Sequence, residues 1–284
     1  MRPLAVITGT THGIGQVTAY ELARAGMQVV MLCRDLQAAK GVRDDILARV
    51  PHSDVSILPC DLADLESIRL CAHRIRRKYG RIQVLINNAG IVSMRHQLSV
   101  NGFELTFATN HLGHFLLTGL LLRRMEPAGR IVTVASQAHT KGTLDLDAVT
   151  DLYPRYNPMA AYARSKLANV LHSFALARHL AGTGITANCL HPGVVATHLL
   201  PRWVRAVKPF ISRVTFDPVR GARTTLKLAL SNEVAGVSGK YFDEYGEIRP
   251  VAPLASSGYL QAQLWAASVR WVAPVAALED TGTG

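Results

Sequence analysis

Long apolar runs, acidic residues and paired cysteines are what this sequence has little of. The opening run, Leu4-Ala5-Val6-Ile7, gives way to a glycine-rich turn within a few residues. It is too short for a membrane span and carries no signal-peptide cleavage pattern, so no stable membrane insertion is expected. The four cysteines, Cys33, Cys60, Cys71 and Cys189, include no CxxC pair and no metal-ligand spacing. They read as reduced thiols in or near the core of a cytoplasmic protein. His111, His114, His139 and His191 come without an HExxH or carboxylate-histidine grouping, so they read as structural and no metal is expected. Asp and Glu number 20 against 31 Lys and Arg, a formal charge of +11. The basic runs at 74–78 and 123–124 fall at the ends of predicted helices, where the helix dipole favours cations, and no aromatics are interleaved for base stacking. Nucleic acid is therefore not an expected partner.

What is present is a repeating alternation of short apolar runs with amphipathic stretches. Strands are predicted near 3–8, 28–33, 54–59, 82–87, 129–135, 184–190 and 238–242, and helices over 13–25, 36–50, 64–79, 100–126, 157–181 and 218–231. This order is the sequence form of repeated βα units. It predicts a single Rossmann-type α/β domain over 1–284, with a doubly wound, mostly seven-stranded parallel sheet and helices on both faces. Pro201 and Pro209 break the alternation at 194–216. Apolar Leu200, Trp203, Val204, Val207, Phe210 and Ile211 there recur beside Arg202, Arg205 and Lys208, the pattern of a lid over a pocket or of a segment resting on anionic lipid. A further helix is expected near 257–273.

The first strand runs into Thr8-Gly9-Thr10-Thr11-His12-Gly13-Ile14-Gly15 and then a helix. Glycines in that turn let backbone approach a ligand, and the helix N-terminus offers N–H groups and a positive dipole end to a pyrophosphate. The spacing is not GxGxxG, but strand, turn and helix in this order make a dinucleotide site of Gly9, Thr11, Gly13, Ile14 and Gly15. His12 is either a donor near the phosphate or simply exposed. At the end of the second strand Cys33-Arg34 stands where an acidic residue would hold ribose hydroxyls. Arg34 can instead form a charge-assisted fork to a 2′-phosphate, which points to NADP(H), unless it pairs with Asp35.

In the predicted helix 157–181, Tyr162 and Lys166 are four residues apart and share a face. An ammonium beside a phenol stabilises the phenolate and brings it toward the working range of a proton-transfer group. Ser136 ends the fifth strand, where α/β sheets place ligand contacts, and its hydroxyl can hold a substrate oxygen.

Together these residues resemble the short-chain dehydrogenase/reductase family, through TGxxxGxG at 8–15, Asn87-Asn88-Ala89-Gly90 after the fourth strand, Ser136, YxxxK at 162–166 and Pro192-Gly193 after the sixth strand. The resemblance implies that Tyr162 is the general acid in reduction and base in oxidation. It also implies that Lys166 lowers the Tyr162 pKa and holds the nicotinamide ribose, and that Ser136 orients the carbonyl. Asn110 matches a position supporting a proton-relay water, its alternative being a buried amide that pins a helix kink. Asp61 and Leu62 match the adenine contact; Asn88, Ala89 and Gly90 line the coenzyme; Pro192, Gly193, Val195 and Thr197 match its carboxamide and phosphate contacts. CRD at 33–35, NHLGHF at 110–115, SxAH at 136–139 and SKLAN at 165–169 look most like the retinol dehydrogenase branch. The implied activity is hydride transfer between NADP(H) and a carbonyl/alcohol pair, with an aldehyde or ketone substrate, apolar and retinal-like among the candidates, and a homo-oligomer as a reasonable assembly. Rival readings are a C=C reductase of the same fold and a non-catalytic NADPH sensor.

Overall fold

Aliphatic runs with no polar alternation, such as Ala5-Val6-Ile7 and Val29-Val30-Met31, form strands buried on both faces, as a parallel sheet between two helical layers requires. The computed structural model describes residues 2–150, 156–193 and 217–276. Seven strands, β1 (Leu4–Thr8), β2 (Gln28–Cys33), β3 (Asp54–Pro59), β4 (Ile82–Asn87), β5 (Met125–Val134), β6 (Thr186–Leu190) and β7 (Tyr241–Phe242), form one sheet in the order β3-β2-β1-β4-β5-β6-β7. All neighbours are parallel. The order reverses between β1 and β4, so a crevice opens beyond the carboxyl ends of these two strands.

Successive side chains of a strand point to opposite faces. Leu4 and Val6 join Val30 and Leu32 in a core with Ile68, Leu117 and Leu171, whereas Ala5 and Ile7 join Val29 and Met31 in a second core with Leu22, Ile46 and Leu228. The first layer comprises α3 (Leu65–Lys78), α4 (Gly113–Leu121) and α5 (Pro158–His179), and the second α1 (Gly13–Arg24), α2 (Leu36–Arg49) and α6 (Pro218–Leu230). Helix α7 (Gly258–Ala276) lies on the first layer, with Trp265 edge-on to Phe115 at 5.2 Å and stacked on His179 at 4.1 Å. The basic run at 74–78 does end a helix, with Arg76, Arg77 and Lys78 in the last turn of α3. Among the described residues no helix is long and apolar enough to cross a membrane.

One predicted helix, 100–126, is redrawn. Buried Glu104 accepts the N–H groups of Thr106 and Phe107 at 2.8 Å each and so starts the helix at Leu105. The chain then passes through a π-helical turn, Ala108–Leu112, before α4 begins. Met125 already pairs with Ile82, and a register shift in β5 absorbs the next residues. Apolar periodicity shows neither the cap nor the bulge. The segment 194–216 expected to act as a lid, with Val195 and Thr197, lies outside the described residues.

Three fully buried histidines make the fold acid-sensitive. Burial pushes His111 well below the ordinary imidazole range, His114 down to about 4 and His172 down to about 3. The unfolded chain therefore binds more protons than the native one between these values and about 6.5. Stability is complete above that pH and falls as acid is added, by up to about 1.4 kcal/mol per pH unit for each histidine. Thermal melts followed by circular dichroism should show the midpoint dropping steeply between about pH 6.5 and 4.5, and His172→Gln should make the drop shallower. A midpoint constant across that window would contradict the assignment.

Candidate active site

At the carboxyl end of β1 the chain folds back on itself. The Thr8 hydroxyl accepts the backbone N–H groups of Asn88 and Ala89 at 3.0 Å each, and Asn88 Nδ2 donates to the carbonyls of Thr8 at 2.8 Å and Gly9 at 3.0 Å. A Cβ on Gly15 would stand 2.1 Å from the Gly9 carbonyl oxygen and 2.5 Å from Asn88 Nδ2. Only glycine fits where α1 meets this turn. Gly9 itself is left-handed, with φ +71°.

Helix α1 starts at Gly13 with His12 in the capping position, and no side chain caps it. Its first turn holds no acidic residue, so its amino end is suited to an anion. His12 is exposed, with Nδ1 3.0 Å from the Thr11 hydroxyl, and Ile14 is buried. Thr10 Oγ1 lies 2.9 Å from Cys33 Sγ, which ties the turn to the end of β2. There Arg34 is exposed and, among the described residues, makes no ion pair, while Asp35 caps α2 through the Ala38 N–H at 3.0 Å. Asp61 follows β3 and accepts the Ala63 N–H at 3.0 Å. Leu62 packs so closely on α4 that a Cβ on Gly113 would be 2.3 Å from its carbonyl oxygen.

Toward β5 and α5 the proton-transfer candidates converge. Lys166 Nζ donates to the Val134 carbonyl at 2.9 Å and lies 5.6 Å from the centre of the Tyr162 ring. Ser136 is within hydrogen-bond reach of the Tyr162 phenol, and it caps the following turn through the Ala138 N–H at 3.2 Å. Asn110 lies in the π-helical turn. Its Oδ1 accepts the Ile91 N–H at 2.8 Å, and its Nδ2 donates to the Ile91 carbonyl at 3.0 Å and to the Ser165 hydroxyl at 2.9 Å. The amide thus pins the kink and also ties it to the helix that carries Tyr162. Gly90 sits where Lys166 and Asn110 meet, since its Cβ would be 3.4 Å from Lys166 Nζ and 3.5 Å from Asn110 Oδ1.

Electrostatics here are set first by burial. Burial raises the Tyr162 phenol, with the Ser136 hydrogen bond opposing, and lowers Lys166 to about 8. The ammonium's near partner is the Val134 carbonyl, and the tuning of Tyr162 falls first to Ser136. Pro192 and Gly193, the latter at φ +75°, follow the end of β6.

His114, read from the sequence as structural, has partners that the sequence did not disclose. Its Nδ1 lies 3.0 Å from the Asn110 carbonyl and its Nε2 2.9 Å from the Thr8 hydroxyl. A backbone carbonyl can only accept, so Nδ1 carries the proton and Nε2 accepts a hydrogen bond from the Thr8 hydroxyl. One neutral imidazole thereby joins the glycine turn to the π-helical turn. The available signal was spacing, because Asn110 and His114 are four residues apart. Among the described residues no cluster of metal-ligand side chains accompanies these groups.

A family model described as short chain dehydrogenase matches residues 3–207. The chain belongs to the short-chain dehydrogenase/reductase family. Human retinol dehydrogenase 13 is 40% identical over 278 residues, covering 94% of this chain and 83% of the relative, which places this dehydrogenase in the retinol dehydrogenase branch. It is an oxidoreductase of CH–OH and C=O groups. A protein of Mycobacterium paratuberculosis is 36% identical at a TM-score of 0.78, covering 95% of this chain and 93% of that one. A structure from Beutenbergia cavernae, described as a putative NAD(P) dependent gluconate 5-dehydrogenase with bound NADP, is 28% identical at a TM-score of 0.70, covering 85% and 94%. The dehydrogenase is thus similar in fold and sequence to proteins that take a nicotinamide coenzyme.

Proposed function

We propose that the protein is an NADP(H)-dependent reductase or dehydrogenase that interconverts an apolar aldehyde or ketone, retinal-like in character, with its alcohol. The observation that carries this reading is the convergence of Tyr162, Ser136, Lys166 and Asn110 beside a glycine turn that has no room for a side chain. That turn, the amino end of α1 and Arg34, which makes no ion pair among the described residues, fit a phosphorylated dinucleotide, with Gly9, Thr11, His12, Gly13, Ile14 and Gly15 around the pyrophosphate and Arg34 on the 2′-phosphate. Asp61 and Leu62 would flank adenine, and Asn88, Ala89, Gly90, Pro192 and Gly193 the nicotinamide side; Val195 and Thr197 are assigned there by family resemblance alone. The coenzyme, when bound, supplies the hydride.

The chain's own work is orientation and proton delivery. The Ser136 hydroxyl holds the substrate oxygen, and the Tyr162 phenol gives that oxygen a proton in reduction or removes one in oxidation. Lys166, fixed by the Val134 carbonyl, keeps positive charge beneath the ring. Asn110 holds the Ile91 backbone and the Ser165 hydroxyl and so fixes the Tyr162 helix against the coenzyme loop. The four buried free cysteines support a reducing, cytoplasmic setting.

The test is NADPH and NADH oxidation at 340 nm across aldehydes and ketones, retinal included, by wild type and Arg34→Asp. Wild type should turn over with NADPH preferred. The variant, with a carboxylate where the 2′-phosphate would lie, should lose NADPH affinity by about tenfold or more, the worth of one charge-assisted contact, and hold NADH as well as wild type does. Equal NADPH affinity in both proteins would remove Arg34 from the site.

A further inference from the structure

The geometry points to Glu244 and Tyr241 as positioning residues that set the Pro192–Gly193 coenzyme loop through His191. This inference rests on the coenzyme site proposed above. Strand β7 pairs with β6 over only two residues, Cys189 with Tyr241 and Leu190 with Phe242. Beyond that short ladder, side chains continue the connection. His191 Nε2 lies 2.6 Å from Glu244 Oε2, and His191 Nδ1 lies 2.9 Å from the Tyr241 hydroxyl.

The carboxylate can only accept, so Nε2 carries a proton, and Nδ1 accepts from Tyr241. Burial raises the Tyr241 phenol, which keeps it a donor. Both imidazole nitrogens are therefore engaged, and the ring is held in one orientation. The ring's own backbone is the residue before Pro192, and its N–H donates to the Phe242 carbonyl at 3.0 Å.

The turn that presents Glu244 is itself rigid. Asp243 accepts the N–H groups of Tyr245 at 2.9 Å and Glu247 at 3.0 Å and the Arg249 Nε at 2.6 Å, while its carbonyl takes the Thr224 hydroxyl of α6 at 2.9 Å. The same edge reaches the substrate side. The Tyr241 ring packs 4.8 Å from the His139 ring, and His139 Nδ1 donates to the Ser136 carbonyl at 2.8 Å. One two-residue strand thus braces the exits of both β5 and β6.

A brace of this kind acts on coenzyme affinity rather than on the chemical step. Glu244→Leu keeps bulk and loses the acceptor; Glu244→Gln keeps an acceptor oxygen for Nε2; Tyr241→Phe keeps the ring against His139 and loses the hydroxyl. NADPH affinity is read by fluorescence titration, and kcat is read at saturating NADPH with the best carbonyl substrate. Glu244→Leu and Tyr241→Phe should weaken NADPH by about tenfold, with kcat within about twofold of wild type, and Glu244→Gln should restore most of the affinity. Unchanged affinity in both Glu244→Leu and Tyr241→Phe, or a fall in kcat with affinity intact, overturns the inference. If Glu244→Leu fails to fold, Tyr241→Phe and Glu244→Gln decide it alone. A wild type that binds neither NADPH nor NADH overturns the coenzyme site itself, which separates that failure from failure of the brace.

Discussion

Tyr162→Phe is expected to lower kcat by about two to four orders of magnitude, the usual worth of a positioned general acid or base. Coenzyme affinity should stay within about twofold of wild type, because the phenol faces Ser136 and not the glycine turn. The reason for the size lies in what surrounds the phenol. It is half-buried, and its hydrogen-bond partner Ser136 can orient the carbonyl oxygen but has no acidic proton near neutral pH. Removal of the hydroxyl leaves the developing alkoxide without its positioned donor. Stopped-flow turnover at saturating NADPH, with affinity measured in parallel, separates loss of chemistry from loss of binding. Wild-type turnover in the variant would remove Tyr162 from the mechanism.

Gly15→Ala is expected to weaken NADPH binding by about a hundredfold or more, roughly 3 kcal/mol, and to lower the melting temperature by several degrees. The added methyl would stand 2.1 Å from the Gly9 carbonyl oxygen. Backbone carbonyl has no rotamer through which to escape, and Gly9 is held by Asn88, so the strain passes into the whole turn. Gly41→Ala in α2 is the control. Its Cβ meets nothing within 4 Å, and alanine should stabilise that helix by about 0.5–1 kcal/mol without touching affinity. Unchanged NADPH binding in Gly15→Ala would show that the turn does not hold the coenzyme.

The two variants bear on different kinds of information. Tyr162 and Lys166 were visible because helical spacing is local: residues four apart share a face whatever the rest of the chain does. The glycine turn was visible because strand, turn and helix follow one another without interruption. His114 was not, because its second partner, Thr8, is 106 residues away. Neither the capping of the Leu105 helix by Glu104 nor the bulge that starts β5 at Met125 alters apolar periodicity, so the 100–126 stretch reads as one helix. Arg34 left two readings open in sequence. The structure shows Asp35 capping α2 and, among the described residues, no ion pair between it and Arg34.

By itself the sequence determined the fold class, the chain order of strands and helices and the placing of Tyr162 and Lys166 on one helix face, since each rests on periodicity or on contacts within a few residues. Tertiary structure alone decided which groups meet: Ser136 with Tyr162, Asn110 with Ser165, His191 with Glu244. These pairs join elements distant in the chain, and their distances follow from sheet order and helix packing, which no local pattern encodes.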